Sequence, residues 1–65
     1  MYVVYVNHPN NKAIVHRETC RVYVHRRRDD THNGYWRGLF EKLADAESFA
    51  RSTGKKRIDT CAFCL

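Results

Sequence analysis

Two short stretches constrain this chain more than anything else in it: His16-Arg17-Glu18-Thr19-Cys20 early and Cys61-Ala62-Phe63-Cys64 late. Each carries two side chains that bind soft metal ions. One ion held by all four would tie the two halves of a very short chain together. Zinc takes four tetrahedral ligands from thiolate sulfur and imidazole nitrogen, and three cysteines with one histidine is a common closed structural set. His16, Cys20, Cys61 and Cys64 therefore form the candidate metal site, with zinc as the expected ion. If His16 were not the fourth ligand, His25 would be the substitute.

The need for such a site follows from size. At 65 residues the chain is expected to form one domain spanning residues 1–65. A domain this small buries only about 60% of the surface its unfolded chain exposes, and chains of this length usually need a staple. Three cysteines cannot all pair as disulfides, and no apolar signal segment precedes them, so a secreted disulfide scaffold explains them poorly. Metal-bound thiolates in a reducing cytoplasm fit better. The longest apolar run, Tyr2 to Val6, falls far short of the roughly 20 residues needed to cross a bilayer, so no membrane role is expected.

The pattern along the chain predicts an α+β domain: an antiparallel sheet of three to four strands with one helix. Tyr2 to Val6 is β-branched or aromatic throughout, Asn7-His8-Pro9-Asn10-Asn11 breaks it, and Lys12 to His16 reads as a second strand, giving a hairpin that delivers His16 at its end. Arg17-Glu18-Thr19 is then a tight turn that lets residues four apart converge, which an extended strand rising about 3.3 Å per residue does not allow. Arg21 to Arg26 alternates, which predicts a third strand with Val22 and Val24 inward and Arg21, Tyr23, His25 and Arg27 outward. Arg26 to Gly34 is polar and predicts a loop, and Tyr35 to Phe40 predicts a fourth strand paired with the third. Within it Gly38 marks a close approach or a bulge, and Trp36 and Phe40 are expected in the core. From Leu43 to Thr53 the period becomes helical, with Leu43, Ala46, Phe49 and Ala50 on one stripe, Asp45 as the expected N-cap and Gly54 as the left-handed terminator.

The order of these pieces resembles the metal-binding amino-terminal domain of Ada-type DNA repair methyltransferases, and the small Ada-like zinc modules attached to bacterial nucleases, whose first pair is His-x-x-x-Cys. The matching pieces are His16 to Cys20, Phe40, Ala50, Gly54 and Cys61 to Cys64. The chain departs from the pattern in two ways. Its connection from helix to knuckle, Lys55 to Thr60, is longer and lacks a proline. And where the repair domains carry the cysteine that accepts the methyl group, this chain has His16, so methyl transfer is not implied. The resemblance implies a zinc-stabilised module, one that contacts DNA.

Eight arginines and four lysines against seven acids give a formal charge of +5. Three thiolates and a divalent ion would lower this by one unit and leave it basic. That balance favours a polyanion, and the excess of arginine suits bidentate phosphate recognition. The candidate nucleic-acid surface is the outward face of the third strand, Arg21, Tyr23, His25 and Arg27, extended by Arg26, Arg28, Arg37 and the run Lys55-Lys56-Arg57. The competing function is a zinc-stabilised adaptor for a larger protein, with no nucleic-acid role. Enzymatic activity is not expected: four ligands leave no open coordination position, and no serine, histidine and acid constellation stands out.

Overall fold

The structure, a computed structural model, describes residues 1–26 and 33–65. The elements run β1 (Tyr2–Asn7), β2 (Lys12–Arg17), α1 (Arg21–Val24), β3 (Gly34–Phe40), α2 (Leu43–Ser52) and β4 (Arg57–Thr60). The fold is α+β, as the sequence predicts, but the sheet is mixed: its order is β3-β1-β2-β4, with β1 antiparallel to both β2 and β3 and β2 parallel to β4.

The hairpin of β1 and β2 forms because two β-branched runs flank a segment that can reverse. Asn7 Oδ1 accepts from the Asn10 amide at 3.3 Å, and Asn11 adopts φ 51°, a left-handed conformation that asparagine tolerates better than most residues. The register pairs Val4 with Val15 and Val6 with Ala13 on one face, and Val3 with His16 and Tyr5 with Ile14 on the other. Because side chains alternate across a strand, that register decides which face holds His16.

Helix α2 covers the first face. Ala46 and Ala50 are completely buried against Val4, Val6, Ala13 and Val15, and their small side chains let the helix lie close to the sheet. Tyr2, Tyr35, Phe40, Leu43, Phe49 and Ile58 close the edges of this core. Gly54, at φ 75°, ends the helix as expected. The N-cap is Lys42 rather than Asp45: the Asp45 and Ala46 amides both donate to the Lys42 carbonyl, and Asp45 instead stands in the first turn, where its charge complements the helix dipole. At Gly38 an added Cβ would lie 2.8 Å from Val3 Cγ1, beside the register shift between β1 and β3, so both readings of that glycine hold.

The predicted third strand is corrected. Arg21–Val24 is a single helical turn, and Val22 and Val24 are exposed at 47% and 57%. The alternation is real, but both sides of β2 are taken by β1 and β4, and after Cys20 the chain turns helically, the Tyr23 and Val24 amides both donating to the Cys20 carbonyl. β3 accordingly pairs with β1, not with residues 21–26. The strand missing from the sequence reading, β4, takes that edge of β2. Predictions for Arg27, Arg28 and the rest of the polar loop through His32 lie outside the described residues.

Candidate metal centre

The parallel pairing of β2 and β4 builds the site. Lys12 lies beside Arg57 and Val15 beside Thr60, so the carboxyl ends of both strands meet at one end of the sheet. The ladder continues one step further, with the Cys61 amide donating to the Val15 carbonyl at 2.8 Å. Cys61 thus arrives next to His16. An antiparallel β4 would have left it several residues away, at about 3.3 Å per residue.

Cys20 reaches the same point by a turn. Its amide donates to the Arg17 carbonyl at 3.0 Å, and its own carbonyl then accepts from Tyr23 and Val24 to start α1. Cys64 completes the group from the turn after Cys61, which the Leu65 amide closes by donating to the Cys61 carbonyl at 2.9 Å.

The ligand atoms of His16, Cys20, Cys61 and Cys64 all lie within 4.8 Å of one another. Cys20 Sγ is 3.7 Å from His16 Nδ1 and 3.8 Å from Cys61 Sγ. A disulfide needs about 2.05 Å between sulfurs, so these are free thiols in contact. His16, Cys20 and Cys61 are buried and Cys64 is half-buried. Four soft donors converging from two distant parts of the chain can hold a metal ion.

Local electrostatics prepare the donors unequally. Burial pushes the His16 pKa below its ordinary value, which keeps the imidazole neutral and free to offer a lone pair. Burial also opposes the Cys61 thiolate, but the amides of Phe63 and Cys64 and the neighbouring Cys20 and Cys64 thiols outweigh it and lower that pKa. Cys64 is pushed up to about 11, first by burial and then by the Cys20 and Cys61 sulfurs, against the stabilising Arg17 amide.

Two features around the site go beyond the sequence reading, which gave Arg17 only to a turn and Trp36 to the core. Arg17 clamps the knuckle: its amide donates to Cys64 Sγ at 3.2 Å and its Nε to the Cys64 carbonyl at 2.8 Å. Trp36 backs the histidine: half-buried on the face opposite α2, its ring lies 5.2 Å from His16, 4.8 Å from Tyr5 and 5.1 Å from Tyr23. Trp36 therefore belongs to the aromatic layer around His16, while Phe40 packs on the helix side against Phe49 at 5.6 Å. Tyr5 pairs with Trp36 across β1 and β3, a partnership that the sequence reading missed because it paired the strand of Trp36 with residues 21–26.

His25 follows α1, exposed, and is not among the clustered ligands. Of the basic residues, Arg26 lies over Tyr23, its guanidinium 3.7 Å from the ring centroid, while Arg21 and His25 are exposed on the same turn. Tyr23 is accordingly half-buried. Lys55, Lys56 and Arg57 sit at the opposite end of the sheet, where the Lys56 amide donates to Asn11 Oδ1, Lys55 Nζ lies 2.8 Å from His8 Nδ1 and Arg57 pairs with Asp59 at 3.3 Å. Arg37 lies on the helix side, over Tyr35 and Phe49. Among the described residues, the expected basic surface is thus divided among three places. Among the described residues no helix is long and apolar enough to cross a membrane. No protein-family model, curated protein or solved structure matches this chain.

Proposed function

We propose that His16, Cys20, Cys61 and Cys64 bind one zinc ion that holds the fold together, and that the module so stabilised binds nucleic acid. The observation that carries the metal assignment is the convergence of these four donors. Zinc–sulfur bonds of about 2.3 Å at tetrahedral angles separate two sulfurs by about 3.8 Å, and a sulfur from an imidazole nitrogen by about 3.6 Å. The spacings of 3.8 Å between Cys20 and Cys61 and 3.7 Å between Cys20 and His16 Nδ1 fit both values. Four protein donors close the coordination sphere, so the role is structural rather than catalytic. The ligand order that resembles the Ada-type domain reflects, on this reading, the same use of zinc to join an early and a late segment. Thiolates held this way suit a reducing cytoplasm.

The nucleic-acid assignment rests on the charge of +5 and on the α1 turn that follows Cys20, where Arg26 lies over the Tyr23 ring and Arg21 and His25 are exposed. Lys55 and Lys56 supply a second contact region at the far end of the sheet. Binding through phosphates releases counterions, so affinity must fall steeply as salt rises. Titration of zinc-loaded protein into labelled single-stranded and duplex oligonucleotides across a salt series tests this. A steep linear dependence of log Kd on log salt is expected; no binding at low salt would remove the nucleic-acid role.

A protein-adaptor role is the second reading, and one observation favours it: Val22, Val24 and Phe63 are exposed at 47%, 57% and 90%. An apolar protein interface would be nearly indifferent to salt, so the same titration separates the two.

A further inference from the structure

Phe63 is the most exposed large apolar side chain among the described residues, at 90%, and it sits in the turn that the Leu65 amide closes on the Cys61 carbonyl. The metal ligands Cys61 and Cys64 flank it within three positions, and its own amide stabilises the Cys61 thiolate. An aromatic ring this exposed to water is a costly arrangement for a small domain unless the ring has something to meet.

Beside it lies a shallow cavity of about 440 Å³ lined by Thr19, Cys20, Arg21, Val22, Phe63 and Cys64. Its wall is apolar on the Val22 and Phe63 sides, and its one charged lining residue is Arg21. Among the described residues no carboxylate lines it, and Glu18, next to Thr19 in sequence, is held 3.2 Å from the Met1 amino group. Three thiolates and a divalent ion leave the metal centre with one negative charge, so the choice of an anionic occupant rests on the Arg21 guanidinium together with the basic charge of the whole chain, +5 before metal binds; the exposed Phe63 and Val22 call for an occupant that also carries a flat apolar face. A nucleotide with an unpaired base has both.

We infer that this groove is a single-nucleotide site, in which Phe63 stacks on an unpaired base and Arg21 binds the adjoining phosphate. The inference rests on the nucleic-acid reading above and narrows it to single strands, because a base within a duplex has no free face. Every base presents a π-face, so the site tolerates sequence. Cys20 and Cys64 also line it, and both stand next to a groove residue in sequence, Cys20 to Arg21 and Cys64 to Phe63.

The test compares zinc-loaded wild type with Phe63→Ala, Phe63→Leu, Phe63→Trp and Arg21→Ala, using fluorescence anisotropy of a labelled single-stranded dT oligonucleotide and of a blunt duplex. Zinc content and amide NMR establish that each variant is folded, which is expected because the backbone donor at Phe63 survives substitution. Phe63→Ala and Phe63→Leu should each raise Kd for the single strand by about tenfold and leave the duplex unaffected, while Phe63→Trp restores binding. Arg21→Ala should lower the salt slope by about one. If the wild type binds single strands and Phe63→Ala binds them equally, the stacking site is wrong while the nucleic-acid reading survives. Wild-type affinity retained by Phe63→Leu also overturns it, since an aliphatic chain would then suffice. No binding by the wild type removes both.

Discussion

Arg17 and Cys64, 47 residues apart, are joined twice: the Arg17 amide donates to the Cys64 sulfur at 3.2 Å and the guanidinium Nε to the Cys64 carbonyl at 2.8 Å. One residue of β2 thus orients a ligand and anchors the turn that carries it. Groups that orient metal ligands affect metal affinity by about 10- to 100-fold. Arg17→Ala, which keeps the amide but loses the side-chain bond, should weaken zinc binding by about tenfold in competition with a chromophoric chelator. An unchanged affinity would mean that the amide alone suffices.

Trp36 is the sole tryptophan, and its ring lies 5.2 Å from that of His16. Its emission therefore reports on the site. Chelation should shift the emission to longer wavelength, in step with loss of far-ultraviolet circular dichroism, as one transition. Two separate transitions would show that the aromatic layer persists without metal.

Acid should release the metal, and the direction follows from the donors. Cys64, with its pKa pushed up to about 11, is a thiol at neutral pH in the metal-free fold and must lose its proton to bind. Each proton expelled makes affinity fall about tenfold per pH unit as pH drops. His16 adds a second dependence. Its folded pKa is lowered by burial, so the unfolded chain takes up the proton first, and the stability that is fully present above about pH 6.5 is lost as pH falls through the folded value. Metal release followed by absorbance should therefore steepen below that point. A flat profile from neutral pH down to pH 5 would contradict both assignments.

Ala50 is completely buried where α2 meets the sheet. Ala50→Leu should overpack this contact and cost about 1–3 kcal/mol, read as a lower denaturation midpoint of the zinc-loaded protein. Because metal binding and folding are coupled, the same variant should also bind zinc more weakly. A loss of stability with unchanged zinc affinity would uncouple the two.

Residue type and spacing made the four donors legible from the sequence, because the chemistry of thiolates and imidazole does not depend on the path that brings them together. The hairpin and α2 were equally legible, since their periodicities are local. The parallel partnership of β2 and β4 was not: Arg57-Ile58-Asp59-Thr60 is short, and its partner lies more than forty positions earlier, so nothing local announces it. That pairing is what carries Cys61 to His16. The alternation of Arg21 to Arg26 misled because alternation alone does not make a strand: both sides of β2 are taken, and the turn that brings Cys20 to His16 runs on into a helical turn through the Cys20 carbonyl. The clamp at Arg17 and the exposure of Phe63 depend on the folded turn and left no mark in the spacing.

The most direct test of the account is native mass spectrometry together with amide NMR of the purified protein, before and after a strong chelator, with Cys64→Ala alongside. The account predicts one zinc ion per chain, amide dispersion that collapses on chelation, and a Cys64→Ala variant with weakened or absent metal binding. A metal-free chain that keeps its dispersion would contradict it, and His16, Cys20, Cys61 and Cys64 would then be a packed cluster of thiols and an imidazole, with no ion holding the fold.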